Sequence, residues 1–516
     1  MSNLVFDYVI VGGGSAGAII ARRLADANIG TVLLVEAGRP DEGVPAMMDI
    51  SRLFELDAST DWGFLASPTR ATSRRLTYSR ARMLGGCGNH NDCAYLVPPA
   101  EDFDSWRELG AAGWSGADVA PYFERLRERV TVEPRPEQHP VSRAFLAGGV
   151  ELGLPKVDFS RGVEPGIGML TLNARGRLRS SSSVAYLHPL DALPPNLTIF
   201  TDTLVSRLEF HDRVATACLT SRGRIAARRE IIVSAGSIQS PQLLLTSGIG
   251  AADELRALGI GVIHDSPGVG RHLIDHYSVP VVFETAEPVA DWDVTPYEAI
   301  AMLTTRAGAS AAESQVQLGL TSGWVNGRFG DEYDPAAPKQ RSVIALEPNV
   351  ARSRSEGSVR ISSPDIGVAP VIDLNYLSDP DGYDESVLLE SVRFCRRLGQ
   401  TASFGGLLRR ELSPGPDVAD EAALRAYIRE HCQTYYHASG TCRAGAASDP
   451  LAVLTPDLKV KGVTGLRVCD ASVFPAMVSV NINATVMMVG EKAADLIITE
   501  ARAGAFAGHG GEAATH

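Results

Sequence analysis

The sequence predicts a two-domain α/β protein: a Rossmann-like domain joined to an α+β domain on a mostly antiparallel sheet. Three observations carry this expectation. A short β-branched run, Phe6–Val11, breaks into Gly12-Gly13-Gly14-Ser15-Ala16-Gly17 and passes into an Ala/Ile/Leu/Arg-rich helical pattern. Beyond residue 278 the pattern changes to alternating strands. At 516 residues the chain also exceeds what one ordinary core accommodates.

The helical pattern runs to about Ala27 and leads into Thr31–Glu36, a second buried strand that completes a βαβ unit. Gly12 permits the tight turn, Gly14 lets the backbone approach a pyrophosphate, and Gly17 lets helix and strand pack closely. The pyrophosphate then lies against the positive end of the helix, beside Ser15 and Ala16. Glu36, followed by Ala37, has the spacing of a carboxylate that takes hydrogen bonds from adenosine ribose hydroxyls. An acid there disfavours a 2′-phosphate, because two negative charges would meet.

Residues 40–97 are irregular and rich in Gly, Ser and Arg, a long excursion of the kind that carries function. Strands around Leu197–Thr201 and Glu230–Ala235 return to the first sheet. After Pro267-Gly268-Val269-Gly270, the runs Val279–Glu284, Ser342–Glu347 and Ser358–Ser362 suggest the antiparallel sheet, interleaved with helices to about Glu430. A final helix starts at about Val486, and a Gly/Ala-rich tail follows from Gly504. The expected division gives 1–155, 196–278 and 431–502 to the dinucleotide domain and 156–195 and 279–430 to the second domain. Residues 503–516 are expected to form a disordered tail.

Composition narrows the class. Apolar residues make up 45% and charged residues 21%, as in soluble globular proteins. A net charge of −13 provides no general basic footprint for nucleic acid. Seven cysteines without a CxxC pair fit free thiols in a reducing compartment. No metal site is expected. Met1 leads straight into an apolar strand without a basic leader, and the apolar runs are too short for a membrane span. The expectation is a cytoplasmic protein with neither a membrane nor a nucleic-acid partner.

Three further segments resemble the signatures of the glucose–methanol–choline (GMC) oxidoreductases. They are Ala81–Asn91 (ARMLGGCGNHN) with Tyr95 and Pro98, Gly236–Gly250 (GSIQSPQLLLTSGIG), and Cys469–Pro475 (CDASVFP) leading to Asn481 and Asn483. Pro267–His276 (PGVGRHLIDH) is also similar to a family segment, and the resemblance spans nearly the whole chain in order. Within the family, Gly85-Gly86-Cys87-x-x-His90-Asn91, Ala100–Trp106 and Lys461–Val468 resemble the choline oxidases. The resemblance implies FAD as cofactor, with Asn91 beside the isoalloxazine and Asp470 reaching the ribityl–phosphate region. A helix N-cap is an alternative for Asp470, compatible with that role. A flavin also needs backbone donors near its N1–C2=O edge, which the loop of Gly85, Gly86 and Asn89 could supply. Val205, Ala235, Ala471 and Asn483 complete the expected cofactor contacts.

His437, in Tyr435-Tyr436-His437-Ala438-Ser439-Gly440-Thr441, matches the family's catalytic histidine, and Asn481 its second active-site residue. A neutral imidazole can take the hydroxyl proton of an alcohol while hydride leaves the carbon. An amide can hold the same oxygen in register. His276 and His431 are read as structural.

Departures from the choline oxidases lie around the substrate. His90 stands where a histidine carries the flavin covalently in those enzymes, so covalent attachment and simple packing both remain open. Asp92 replaces a serine, Arg352 a histidine, and Leu53 a cage tryptophan, which removes much of the cation–π attraction for a trimethylammonium group. Glu313 is a candidate cage carboxylate. Asp92 and Arg352, with Tyr435 and Tyr436, are the candidate substrate residues. Arg352 and Asp92 either recognise a polar ring substituent, as on pyridoxine or another aromatic alcohol, or pair with each other. The expected reaction is FAD-dependent oxidation of a small primary alcohol to the aldehyde, with oxygen as the preferred acceptor. A dehydrogenase using another acceptor and a hydroxynitrile lyase with structural FAD are the alternatives.

Overall fold

The computed structural model describes residues 4–69, 71, 73–304, 315–322 and 342–509; Glu313 lies outside them. Three distant stretches of chain build the first sheet. Its path runs Leu197–Phe200, Val32–Val35, Leu4–Val11, Gly223–Val233, Val214–Thr220 and Val205–His211, with Leu466–Val468 also paired to Gly223–Val233. The first four strands of that path and Leu466–Val468 pair in parallel, whereas the last two make an antiparallel meander. Val9, Ile10, Val32–Val35 and Ile231–Val233 are buried, as in a parallel sheet covered on both faces. Helix Gly17–Asp26 packs against Asn483–His509, bringing the first and last helices together at the glycine turn.

The second sheet is antiparallel throughout: Leu408–Ser413, Val281–Thr285, Val343–Val350, Val316–Ser322, Ala299–Leu303 and Gly166–Met169. Tyr277–Ser278 and Gln433–Thr434 extend it beside Val343–Val350. Helix Pro140–Glu151 packs on this sheet through Val141, Phe145 and Leu146.

Two sequence expectations are corrected. The run Ser358–Ser362 does not join the large antiparallel sheet. Ser358–Arg360 pairs with Val371–Asp373, which pairs with Phe64–Ala66 and then Leu76–Tyr78. The irregular excursion thus supplies half of a small separate sheet, because Phe64, Ala66, Leu76 and Tyr78 bury alternate side chains. The final helix spans Asn483–His509, past the expected start of the tail, since Ala501–Ala507 is rich in the strongest helix former. Among the described residues no helix is long and apolar enough to cross a membrane.

Candidate active site

Strand Leu4–Val11 delivers the backbone to Gly12 at φ +101°, where a Cβ would collide with the Ser234 carbonyl oxygen. A Cβ on Gly17 would strike the Gly12 oxygen, whereas one on Gly14 would find only the Gly86 Cα, at 3.8 Å. A Cβ on Gly86 would lie 2.7 Å from the Gly14 Cα, so the first glycine turn and the 85–89 loop are pressed together. Glu36 accepts from Gly13 N (2.8 Å) and Gly38 N (2.7 Å). Burial pushes its carboxyl up to about 7 against those two bonds. Each oxygen keeps a lone pair for a ribose hydroxyl.

Two orphaned atoms flank this seam. Asn483 accepts from Ser15 Oγ (2.8 Å), but its Nδ2 is buried without a partner. Asn89 Nδ2 donates to Asp41 Oδ2, Leu84 O and Ser183 Oγ, while its Oδ1 is buried and unpartnered. A cradle of glycines with unmet hydrogen-bonding groups fits a polar, phosphate-bearing cofactor such as FAD. Arg179, which sequence reasoning missed, holds the loop from behind: its Nη1 donates to Gly88 O (3.2 Å), Asn91 O (2.6 Å) and Asn91 Oδ1 (2.8 Å). Asp470 caps the turn Ala471–Val473 through Ser472 N (2.8 Å) and accepts from Gly236 N and Ser240 Oγ. Ala235 N also donates to Ser240 Oγ (3.1 Å), Ala471 O accepts from Gly440 N, and Val205 is buried at the start of its strand. His90 Nε2 lies 3.5 Å from Ser79 Oγ and 4.0 Å from Asp61 Oδ2. Beside it burial raises the Cys87 thiol, but His90 and the Arg80 charge win and bring it down to about 7.

His437 owes its position to an antiparallel alignment of 433–439 with 274–278. Tyr277 pairs with Thr434 and Ser278 with Gln433, and Ile274 and Ser439 exchange both backbone bonds. Tyr436 has φ +65° and is braced by Thr434 Oγ1 on its N–H and by Arg80 Nη1 on its carbonyl. Asp275 is the hub: Oδ1 accepts from His437 N (2.7 Å), and Oδ2 from Tyr78 OH (2.8 Å), Tyr376 OH (2.5 Å) and Thr434 Oγ1 (2.7 Å). The same alignment brings the rings of His276 and His437 edge to face, Nδ1 to Nδ1 at 2.8 Å. Burial above all, reinforced by the Arg80 charge, holds the His437 imidazolium well below the usual histidine range, so the ring is neutral.

On the other side His437 Nε2 faces Asn481 Nδ2 at 3.4 Å. Gln317 Nε2 donates to Asn481 Oδ1 (2.8 Å) and contacts Tyr297 OH (2.6 Å). Tyr435 packs edge-on to both Tyr297 and His437. The structure therefore joins the expected pair, His437 and Asn481, with Tyr435 alongside, while Tyr436 is 40% exposed and tilts against Tyr78.

One expectation about this site is corrected. Arg352 pairs with Asp102 (2.6 Å), not with Asp92, because fully buried Asp102 needs a counter-ion. Asp102 also accepts from Ser479 N (2.8 Å) and Oγ (2.7 Å), two residues before Asn481, whereas Asp92 accepts from Thr295 Oγ1. His276, read from the sequence as structural, contacts the His437 ring directly. Its signal was present in the Pro267–His276 segment, but a partner 161 residues away left no local trace. Leu53 sits in the turn Ile50–Glu55.

This geometry defines a dinucleotide-dependent enzyme with a histidine–amide pair at its centre. Family models described as GMC oxidoreductase match residues 6–278 and 353–490. The chain belongs to the GMC oxidoreductase family, and it is an FAD enzyme acting on CH–OH donors. It is 37% identical to the choline oxidase of Arthrobacter globiformis, across 98% of this chain and 96% of that protein. It is 34% identical to an oxygen-dependent choline dehydrogenase of Rhizobium etli (strain CIAT 652), across 95% of each. It also matches the crystal structure of pyridoxine 4-oxidase from Mesorbium loti, with a TM-score of 0.87, 29% identity, and coverage of 95% and 98%.

Proposed function

We propose that the enzyme oxidises a small primary alcohol, choline-like, pyridoxine-like or aromatic, to its aldehyde with His437 as base and oxygen as final acceptor. The observation that carries this is the 3.4 Å approach of His437 Nε2 and Asn481 Nδ2, with a neutral imidazole. FAD, when bound, supplies the acceptor for the two electrons lost by the carbinol carbon. Gly12, Gly14, Ser15, Gly17 and Glu36 would hold its adenine half, and the 85–91 loop, Asp470 and Asn483 its flavin half. His437 takes the hydroxyl proton as the alkoxide develops, and Asn481 donates to that oxygen and fixes the carbon's approach. His90 is the side chain available for covalent attachment of the ring.

Anaerobic mixing with choline, pyridoxine, benzylic and furanic alcohols, and sugars tests the reading. At least one primary alcohol should bleach the flavin, and His437→Ala should slow that bleaching at least about a hundredfold. Turnover of a cyanohydrin without bleaching would replace it with a lyase. Acid precipitation that leaves all the yellow colour in solution would remove the covalent link.

A further inference from the structure

We infer that His276 sets the tautomer of His437, keeping a hydrogen on its Nδ1 so that the lone pair sits on Nε2, toward Asn481. This rests on the reading of His437 as base. The argument begins with the His276 Nε2 atom, which lies 3.0 Å from Ala351 O and 2.8 Å from Val478 O. Carbonyl oxygens only accept, so that nitrogen carries hydrogen. His276 is fully buried, and burial pushes its pKa down to about 4. At neutral pH it therefore holds a single N–H, and its Nδ1 is a bare acceptor.

His437 Nδ1 meets that acceptor at 2.8 Å. Two lone pairs cannot face each other at that separation, so the hydrogen between the rings belongs to His437 Nδ1. A neutral His437 then has its lone pair on Nε2. The contact on the far side agrees: Gln317 occupies Asn481 Oδ1, so Asn481 turns its Nδ2 hydrogens toward Nε2. Gln317 and His276 thus act from opposite ends of one hydrogen-bonded row. The two backbone carbonyls hold the whole assignment, because they alone have no choice of role. His276 is a positioning residue in this scheme.

Two near-isosteric variants separate tautomer control from simple bracing. Asparagine places an amide oxygen where Nδ1 stood and loses the donor to the carbonyls. Glutamine does the reverse. In the FAD-loaded enzyme, His276→Asn should keep anaerobic flavin reduction within about threefold of the parent, and His276→Gln should lose at least about tenfold. The opposite order would mean that the residue only braces the fold, and the inference falls. Nitrogen-15 spectra of histidine-labelled holoenzyme, with the His437 signal identified by its loss in His437→Asn, provide a readout independent of turnover. The parent should show hydrogen on Nδ1, and His276→Gln a shift toward Nε2. Hydrogen on Nε2 in the parent overturns the inference even if His437 proves essential. Unimpaired reduction in His437→Ala, with hydrogen still on Nδ1, would instead remove the base assignment and leave the tautomer intact.

Discussion

Asp275→Asn and Asp275→Ala together measure what holds the His437 loop in place. The carboxylate is 3% exposed and accepts four hydrogen bonds, one from the His437 amide and three from hydroxyls of Tyr78, Tyr376 and Thr434. Asparagine can keep its oxygen on the His437 amide and turn its NH₂ toward hydroxyls that rotate to accept, at a cost of about 1–3 kcal/mol. Alanine strands four buried donors at about 1–3 kcal/mol each, so even the lower bound is about 4 kcal/mol. That is a large share of the roughly 5–15 kcal/mol that typically separates folded from unfolded protein. Urea denaturation followed by flavin and tryptophan fluorescence gives the stabilities, and anaerobic alcohol oxidation reports on His437. Asparagine should remain folded and active, with alanine losing flavin at much lower urea. Alanine within about 1 kcal/mol of the parent, or asparagine as damaging as alanine, would refute the accounting.

Two more substitutions probe buried charge. Burial raises the Glu36 carboxyl from 4.5 to about 7, so across that window the folded chain holds a proton the unfolded chain releases, and stability falls as pH rises. At about 1.4 kcal/mol per pH unit, the advantage of the parent over Glu36→Gln should grow by about 2–3 kcal/mol from pH 8 to pH 5. An advantage that does not change with pH would contradict the shift. Arg352→Ala leaves Asp102 buried without its counter-ion; because Arg352 is 28% exposed, the loss should be about 1–3 kcal/mol, short of a fully buried pair. Adding Asp102→Asn to that variant should recover part of the loss in urea titrations, and further destabilisation would sink the pairing argument.

What could be read from sequence followed local chain constraints. Gly12 and Gly17 announce themselves because no other residue fits against the Ser234 and Gly12 carbonyls, and Glu36 follows at a spacing set by one helix and two strands. The meeting of His437 with Asn481 was legible because each lies in a run of distinctive neighbours. The rest is non-local. Ser358–Arg360 alternates like any antiparallel strand, and nothing nearby reveals that its sheet is completed by residues 64–78. Arg352 sits 250 positions from Asp102, so a pairing with Asp92 looked equally good in one dimension. Gln317 carried a faint signal, a long amide between the apolar Val316 and Leu318 of the strand Val316–Ser322.

The choice of a histidine rather than a carboxylate behind His437 has a chemical consequence. A carboxylate at Nδ1 would stabilise the imidazolium and raise the base's proton affinity, risking protonation before the alcohol arrives. The Asp275 carboxylate gives its Oδ1 to the His437 backbone amide and its Oδ2 to three hydroxyls. The ring instead meets neutral His276, and burial, reinforced by the positive charge of Arg80, pushes its proton affinity down. As the proposed base, the ring would be weak and unprotonated near neutral pH, and Asn481 donating to the same oxygen would make the hydroxyl proton easier to remove. Replacing His276 with a carboxylate should then move the acid limb of the alcohol-oxidation pH profile upward, toward neutrality, since the ring would hold its proton to higher pH. An unchanged limb would mean that the proton affinity of His437 is set elsewhere.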